Sequence, residues 1–145
     1  TTVTADNCQG ARQSFIAIED NGKGIDVVTF NVNRAGNFGG PVMLAKSLSY
    51  TDWHTFAVEV VFRDGVDNDI VRYYVNGQLA HENGSWEGYY RNWQATLHPD
   101  GVPVQTLLFR MSGTAAPAAI GNGYFVDNVL TQVSYPVRPP TVHGK

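Results

Sequence analysis

Over much of this chain apolar and polar residues alternate with a period of two, the spacing of side chains on the two faces of a β-strand. Phe15-Ile16-Ala17-Ile18 is a short apolar run, Asp20-Asn21-Gly22-Lys23-Gly24 follows as a turn, and Ile25 to Val32 reads as a second strand. The pair predicts a hairpin. Asn33 to Pro41 holds three glycines and reads as a loop, followed by a weaker strand from Val42 to Leu48. The clearest alternation runs from Trp53 to Phe62, with Phe56, Val58, Val60 and Phe62 on one face and Thr55, Ala57, Glu59 and Arg63 on the other. Arg63 to Asp69 is an Asx- and Gly-rich turn, and Ile70 to Val75 is a strand. Asn76-Gly77 then gives a strong hairpin signal, because a type I′ turn needs positive φ at both positions. Gln78 to Glu82 is the returning strand. Val104 to Met111 and Tyr124 to Val133 read as two more strands, separated by the small-residue loop Ser112 to Gly123. At least eight short antiparallel strands predict two packed sheets, an all-β sandwich or jelly roll.

One segment departs from this period. In Ser85-Trp86-Glu87-Gly88-Tyr89-Tyr90-Arg91-Asn92-Trp93 the aromatics fall at i, i+3, i+4 and i+7, which is helical spacing, and Ser85 stands where an N-cap belongs. Gly88 argues against a long helix, so one or two helical turns across a sandwich edge are expected. The first dozen residues, through Arg12, are polar and aperiodic. Prolines from Pro136 onward mark a tail or linker. Residues 1–135 are therefore read as one domain with an irregular N-terminal arm, and residues 136–145 as a Pro-rich tail.

Composition agrees with this and removes other classes. Of 145 residues, 43% are hydrophobic and only 16% charged, against a usual ~25%. Aromatics make up 12%, and Gly and Pro number 15 and 7. That excludes a helical bundle, a coiled coil or a disordered chain. The net charge is −3 and no stretch concentrates Lys or Arg, so the electrostatic footprint of a nucleic-acid binder is missing. No apolar run approaches the roughly 18 residues of a membrane span. The single cysteine, Cys8, excludes a disulfide scaffold. The chain opens at Thr1 without Met and shows no signal peptide, as a processed or excised form would.

Several segments together resemble a known group. Trp53-His54-Thr55-Phe56, Phe62-Arg63-Asp64-Gly65 with Asn68-Asp69-Ile70-Val71, and Tyr74-Val75-Asn76-Gly77 are similar to the central strands of laminin-G-like domains, within the concanavalin-A-like lectin/glucanase superfamily. Ser85-Trp86-Glu87-Gly88-Tyr89-Tyr90-Arg91, Leu107-Leu108-Phe109-Arg110 and Gly121 to Val129 narrow this. They resemble modules of bacterial secreted or surface proteins. The resemblance covers roughly residues 50 to 135. It implies a jelly-roll sandwich and a secreted or cell-surface location. It does not fix an activity, since the superfamily holds lectins, adhesion modules, hydrolases and lyases.

The residues limit the enzymatic options. A glycoside hydrolase needs two carboxyl groups about 5 to 9.5 Å apart across the scissile bond. The corresponding strand here offers only Glu59, while Glu82 and Glu87 straddle a turn. A jelly-roll polysaccharide lyase needs a Tyr/His pair with Arg, and Tyr73, Arg72 and His81 fall near one hairpin. There is no Gly-x-Ser-x-Gly elbow, and His54, His81, His98 and His143 lack zinc-like spacing. His54 reads as a structural histidine.

Three binding features remain. Asp64, Asp67 and Asp69, with Asn68, offer the clustered oxygens that calcium takes, although Asx residues are also turn formers. Asp127 shares a face with Phe125 and Val129 and needs a partner there, with Arg110 as the structural choice and a ligand or ion as the other. Trp86, Tyr89, Tyr90 and Trp93, with Arg91, could stack on the C–H faces of sugars and bond their hydroxyls, or could pin the helical turn to the sheet. The expected function is a non-catalytic extracellular module recognising carbohydrate at these rings. A structural or adhesive subunit contacting other surface proteins, as an oligomer, filament or virion component, is the alternative, and a polysaccharide lyase or glycoside hydrolase is a third.

Overall fold

The computed structural model describes residues 14–93, 107–109 and 124–134. It is mostly β: two three-stranded antiparallel sheets and one short helix. Sheet one has the order β1-β2-β3, with β1 at Ala17–Asp20, β2 at Ile25–Thr29 and β3 at Val42–Leu48. Sheet two has the order β4-β5-β6, with β4 at Phe56–Val61, β5 at Ile70–Val75 and β6 at Gln78–Asn83. Helix α1 spans Glu87–Trp93. The expected hairpins and the helix are all present. β3 and β5 have the bounds that the alternation predicts.

The turns form for local reasons. In the β1–β2 turn the Asn21 side chain accepts the N–H groups of Lys23 and Gly24 at 2.9 Å, and Asp20 accepts that of Gly22 at 2.8 Å. Asn76 and Gly77 have φ of 50° and 77°, as the type I′ turn requires. β2 is the centre of sheet one, and Val27, Val28 and Thr29 are fully buried. Asp26 stays polar within it because its carboxylate accepts from Asn21 Nδ2 at 2.6 Å and from the N–H of Ser47 at 2.7 Å. Ser47 is left-handed where the β2–β3 register shifts, so Asp26 caps a bulge.

In sheet two, register decides which side chains meet. Phe56 pairs with Val75, Val58 with Tyr73 and Val60 with Val71, so these six share one face. Val71, Tyr73 and Val75 are buried there, and β3 packs against β5 and β6. The opposite face carries Glu59, Arg72 and Glu82 side by side, since Glu59 pairs with Arg72 and Arg72 with Glu82.

The expected boundaries move in several places. The first strand lies at Ala17–Asp20 rather than at Phe15 to Ile18, and the second stops at Thr29, with Val32 in an isolated bridge to Phe38. The strand expected from Trp53 to Phe62 is shorter. Thr55 donates its N–H to Asn76 Oδ1 at 3.0 Å and Arg63 donates its own to Asp69 at 2.9 Å, which takes both flanks out of the ladder. The apolar face of β4 is only partly covered: Val58 is 43% and Phe62 57% exposed.

The strands expected at Val104 to Met111 and Tyr124 to Val133 are not found where the chain is described. Leu107–Phe109 and residues 124–134 carry no regular structure and stand exposed. Asn128 breaks the second segment: its φ is 53°, and its N–H bonds to the Asp127 carboxylate at 2.7 Å instead of to a neighbouring strand. Arg110, the expected partner of Asp127, lies outside the described residues.

Candidate functional site

Helix α1 and the loop before β5 form one unit. Asp69 is buried, and its carboxylate accepts from the Arg63 N–H and, at 2.7 Å, from the Ser85 hydroxyl. Ser85 in turn caps the helix by accepting the N–H of Glu87 at 3.1 Å, as its position predicts. Asp67, left-handed at φ 60°, pairs with Arg34. Its carboxylate lies directly against the Cα of Gly88, where a Cβ would run into it. Gly88 is thus a packing requirement as well as a limit on helix length.

This arrangement redirects the calcium expectation. Asp67 and Asp69 spend their oxygens on Arg34, Arg63 and Ser85, and among the described residues no three His, Cys, Asp or Glu side chains are placed to hold a metal. Asp69, through Ser85, and Asp67, against Gly88, frame the start of the helix, while Asp64 contributes its backbone carbonyl, which accepts from Asn68 Nδ2 at 2.5 Å.

The aromatic cluster is likewise turned inward. Trp86 and Tyr90 are each only 4% exposed and form a core cluster with Phe15, Val32 and Tyr89. Trp86 meets Phe15 and Phe38 edge-on, at 5.6 and 5.2 Å between centroids, and its Nε1 donates to the Phe30 carbonyl at 3.2 Å. Neither Trp86 nor Tyr90 has a ring face open to a sugar, so the expectation of stacking on these two rings is corrected. Helical spacing places them on the inward side. Tyr89 is half-buried against Tyr90, and Arg91 is tied to Glu87 at 2.5 Å. The Trp93 side chain lies outside the described residues.

The lyase-like constellation is divided by the sheet. Tyr73 is buried, stacks on His81 at 6.1 Å, and bonds Ser14 Oγ at 2.5 Å and Asn83 Oδ1 at 3.3 Å. Arg72, the next residue, points to the other face. His54 keeps a structural role: its Nε2 meets the Ser49 carbonyl at 2.9 Å and its Nδ1 the Asn76 amide at 3.3 Å.

The outer face of sheet two holds an arrangement that local sequence does not show. Arg72 Nε donates to Glu82 Oε2 at 2.7 Å and its Nη1 to Glu59 Oε2 at 3.0 Å. Tyr74 donates its hydroxyl to the same Glu59 oxygen at 3.3 Å. The hydrogen bond to Glu82 first, and that to Glu59 second, hold the guanidinium pKa above its already high ordinary value. Glu59 and Glu82 are about half exposed, and the second oxygen of each makes no hydrogen bond among the described residues. A half-buried ring, a fixed guanidinium and two carboxylates thus face solvent in one row across three strands. Beyond the Thr55–Asn76 contact at one end of the sheet, Trp53 is 74% exposed.

Among the described residues no helix is long and apolar enough to cross a membrane. Comparison with protein-family models, with curated proteins and with solved structures finds no match to this chain.

Proposed function

We propose that this domain is a non-catalytic binding module of a secreted or surface protein, that its sheets belong to a jelly-roll sandwich, and that it recognises carbohydrate on the outer face of sheet two. The observation carrying this reading is the solvent-facing row of Tyr74, Glu59, Arg72 and Glu82. Sugar hydroxyls both donate and accept, so they suit a surface where charged donors and acceptors are already held in place. The Tyr74 ring adds an apolar contact. The Arg72 pairings hold these groups before a ligand arrives, which reduces the ordering cost of binding. A glycan array, with and without EDTA, tests the reading. Binding of a polysaccharide that survives EDTA is expected; no binding under either condition overturns it.

A second reading, a structural or adhesive subunit contacting other proteins, is favoured by a separate observation. Phe38, Phe62, Leu107, Leu108, Phe109 and Phe125 are each more than half exposed. Where such residues adjoin in one patch, they form a contact surface for another protein.

A further inference from the structure

The outer face of sheet two carries more than its charged row. Register sets Ala57, Tyr74 and Leu79 opposite one another, in the row beside Glu59, Arg72 and Glu82. Ala57 is exposed and Leu79 is 55% exposed, so an apolar row and a charged row lie side by side. Beyond the last ladder pair the sheet continues by one step. Thr55 donates its N–H to Asn76 Oδ1 at 3.0 Å, and its carbonyl accepts the Asn76 N–H at 2.8 Å. Trp53 stands two residues before Thr55 and is 74% exposed, although folding covers most tryptophans. The backbone that carries it is held: His54, the next residue, meets the Ser49 carbonyl at 2.9 Å and the Asn76 amide at 3.3 Å.

The hydrogen-bonding capacity left in the charged row is one-sided. Arg72 spends Nε on Glu82 and Nη1 on Glu59, while the second oxygen of each half-exposed carboxylate makes no hydrogen bond among the described residues. One guanidinium against two carboxylates leaves the row at −1, in a chain of net charge −3. Such a row accepts from hydroxyl or amino groups and repels carboxylate and sulfate. At ~3.3 Å per residue, the six positions from Trp53 to Glu59 span up to about 20 Å, the length of about four linked sugar rings.

We propose that the ligand of this face is an uncharged or amino-bearing sugar chain of at least about four units, with one end at the Glu59–Arg72–Glu82 row and the other stacked on the Trp53 indole. Trp53 then determines the chain length that is recognised. This rests on the carbohydrate reading of the same face and adds to it the charge class and the length of the ligand.

Titration calorimetry of the full chain tests this, with two-, four- and six-unit oligosaccharides of an uncharged polysaccharide or chitosan bound on the array, and polygalacturonate as the anionic comparison. The four-unit chain should bind at least about tenfold more tightly than the two-unit chain, and polygalacturonate should not bind. Trp53→Ala should remove the gain with length and leave the thermal midpoint unchanged, and Trp53→Tyr, which keeps a ring, should restore much of it. Equal affinity for two and four units overturns the inference. So does a Trp53→Ala chain that keeps the gain, or a preference for polygalacturonate. In each of those cases a loss of binding in Arg72→Ala still upholds the carbohydrate reading. Absence of binding to every polysaccharide overturns both.

Discussion

The helix cluster and the outer face of sheet two are built from the same kinds of residue and are used in opposite ways. Around α1, two aromatic rings and Asp69 are enclosed, with Asp67 at the surface beside them. Trp86 and Tyr90 fill the space against Phe15, while Asp67 and Asp69 satisfy Arg34, Arg63 and Ser85. On sheet two, Tyr74, Glu59 and Glu82 gather around Arg72 with much of their surface in water. The difference lies in what surrounds each group. Aromatic residues crowded within nine positions at helical period converge on one side of a helix, and a helix that short needs that side buried to exist at all. Charges brought together by strand register meet on a face that nothing among the described residues covers.

This contrast can be broken by substitution, beginning with the largest effect. Trp86→Ala removes the ring that fastens the start of α1 to Phe15, Phe38 and the Phe30 carbonyl and is expected to cost about 3–5 kcal/mol, read as a shift in the denaturant midpoint. A loss below about 1 kcal/mol would mean that the ring is not core. Asp69→Ala leaves the Arg63 N–H and the Ser85 hydroxyl without their acceptor and should cost about 1–3 kcal/mol in the same measurement. Gly88→Ala sets a methyl group against the Asp67 carboxylate and should destabilise by roughly 1–3 kcal/mol. Pairing it with Asp67→Ala should recover part of that loss, because the two changes share one contact.

Two weaker effects sharpen the comparison. EDTA should leave the thermal midpoint unchanged, since Asp67 and Asp69 are occupied by protein donors; a drop reversed by calcium would return Asp64, Asp67 and Asp69 to a metal. Tyr50 donates to Asp20, and that hydrogen bond, with lesser contributions from desolvation and the Asp20 charge, raises its pKa above 10.0. The folded state therefore holds the phenol proton more tightly than the unfolded chain does. The resulting stability is complete below pH about 10 and disappears as pH rises through the folded value. Chemical denaturation across that range should show the native chain losing stability more steeply than Tyr50→Phe. Parallel curves would remove Tyr50 as the source.

Much of the fold was legible because its causes are local. Asn76-Gly77 closes the β5–β6 hairpin by its own dihedral preferences, and Ser85 caps α1 across two residues. The bounds of β3 and β5 followed from alternation. The outer-face network was not legible. Glu59 and Arg72 are 13 residues apart and Arg72 and Glu82 are 10 apart, and only the pairing register shows that all three share a face. The burial of Trp86 was an open alternative, since helical spacing gathers rings on one side without saying whether protein or solvent lies there. The late strand at Tyr124–Val133 failed for a related reason. Alternation gives a segment the capacity to be a strand, but the partner must come from elsewhere.

The most direct measurement is titration calorimetry of the native chain and of Arg72→Ala with a polysaccharide identified on the array, alongside the thermal midpoint of each protein. Arg72→Ala is expected to weaken binding at least about tenfold while the midpoint stays near that of the native chain, since the side chain joins exposed groups. Undiminished binding by Arg72→Ala would contradict the assignment of the outer face of sheet two as the recognition surface.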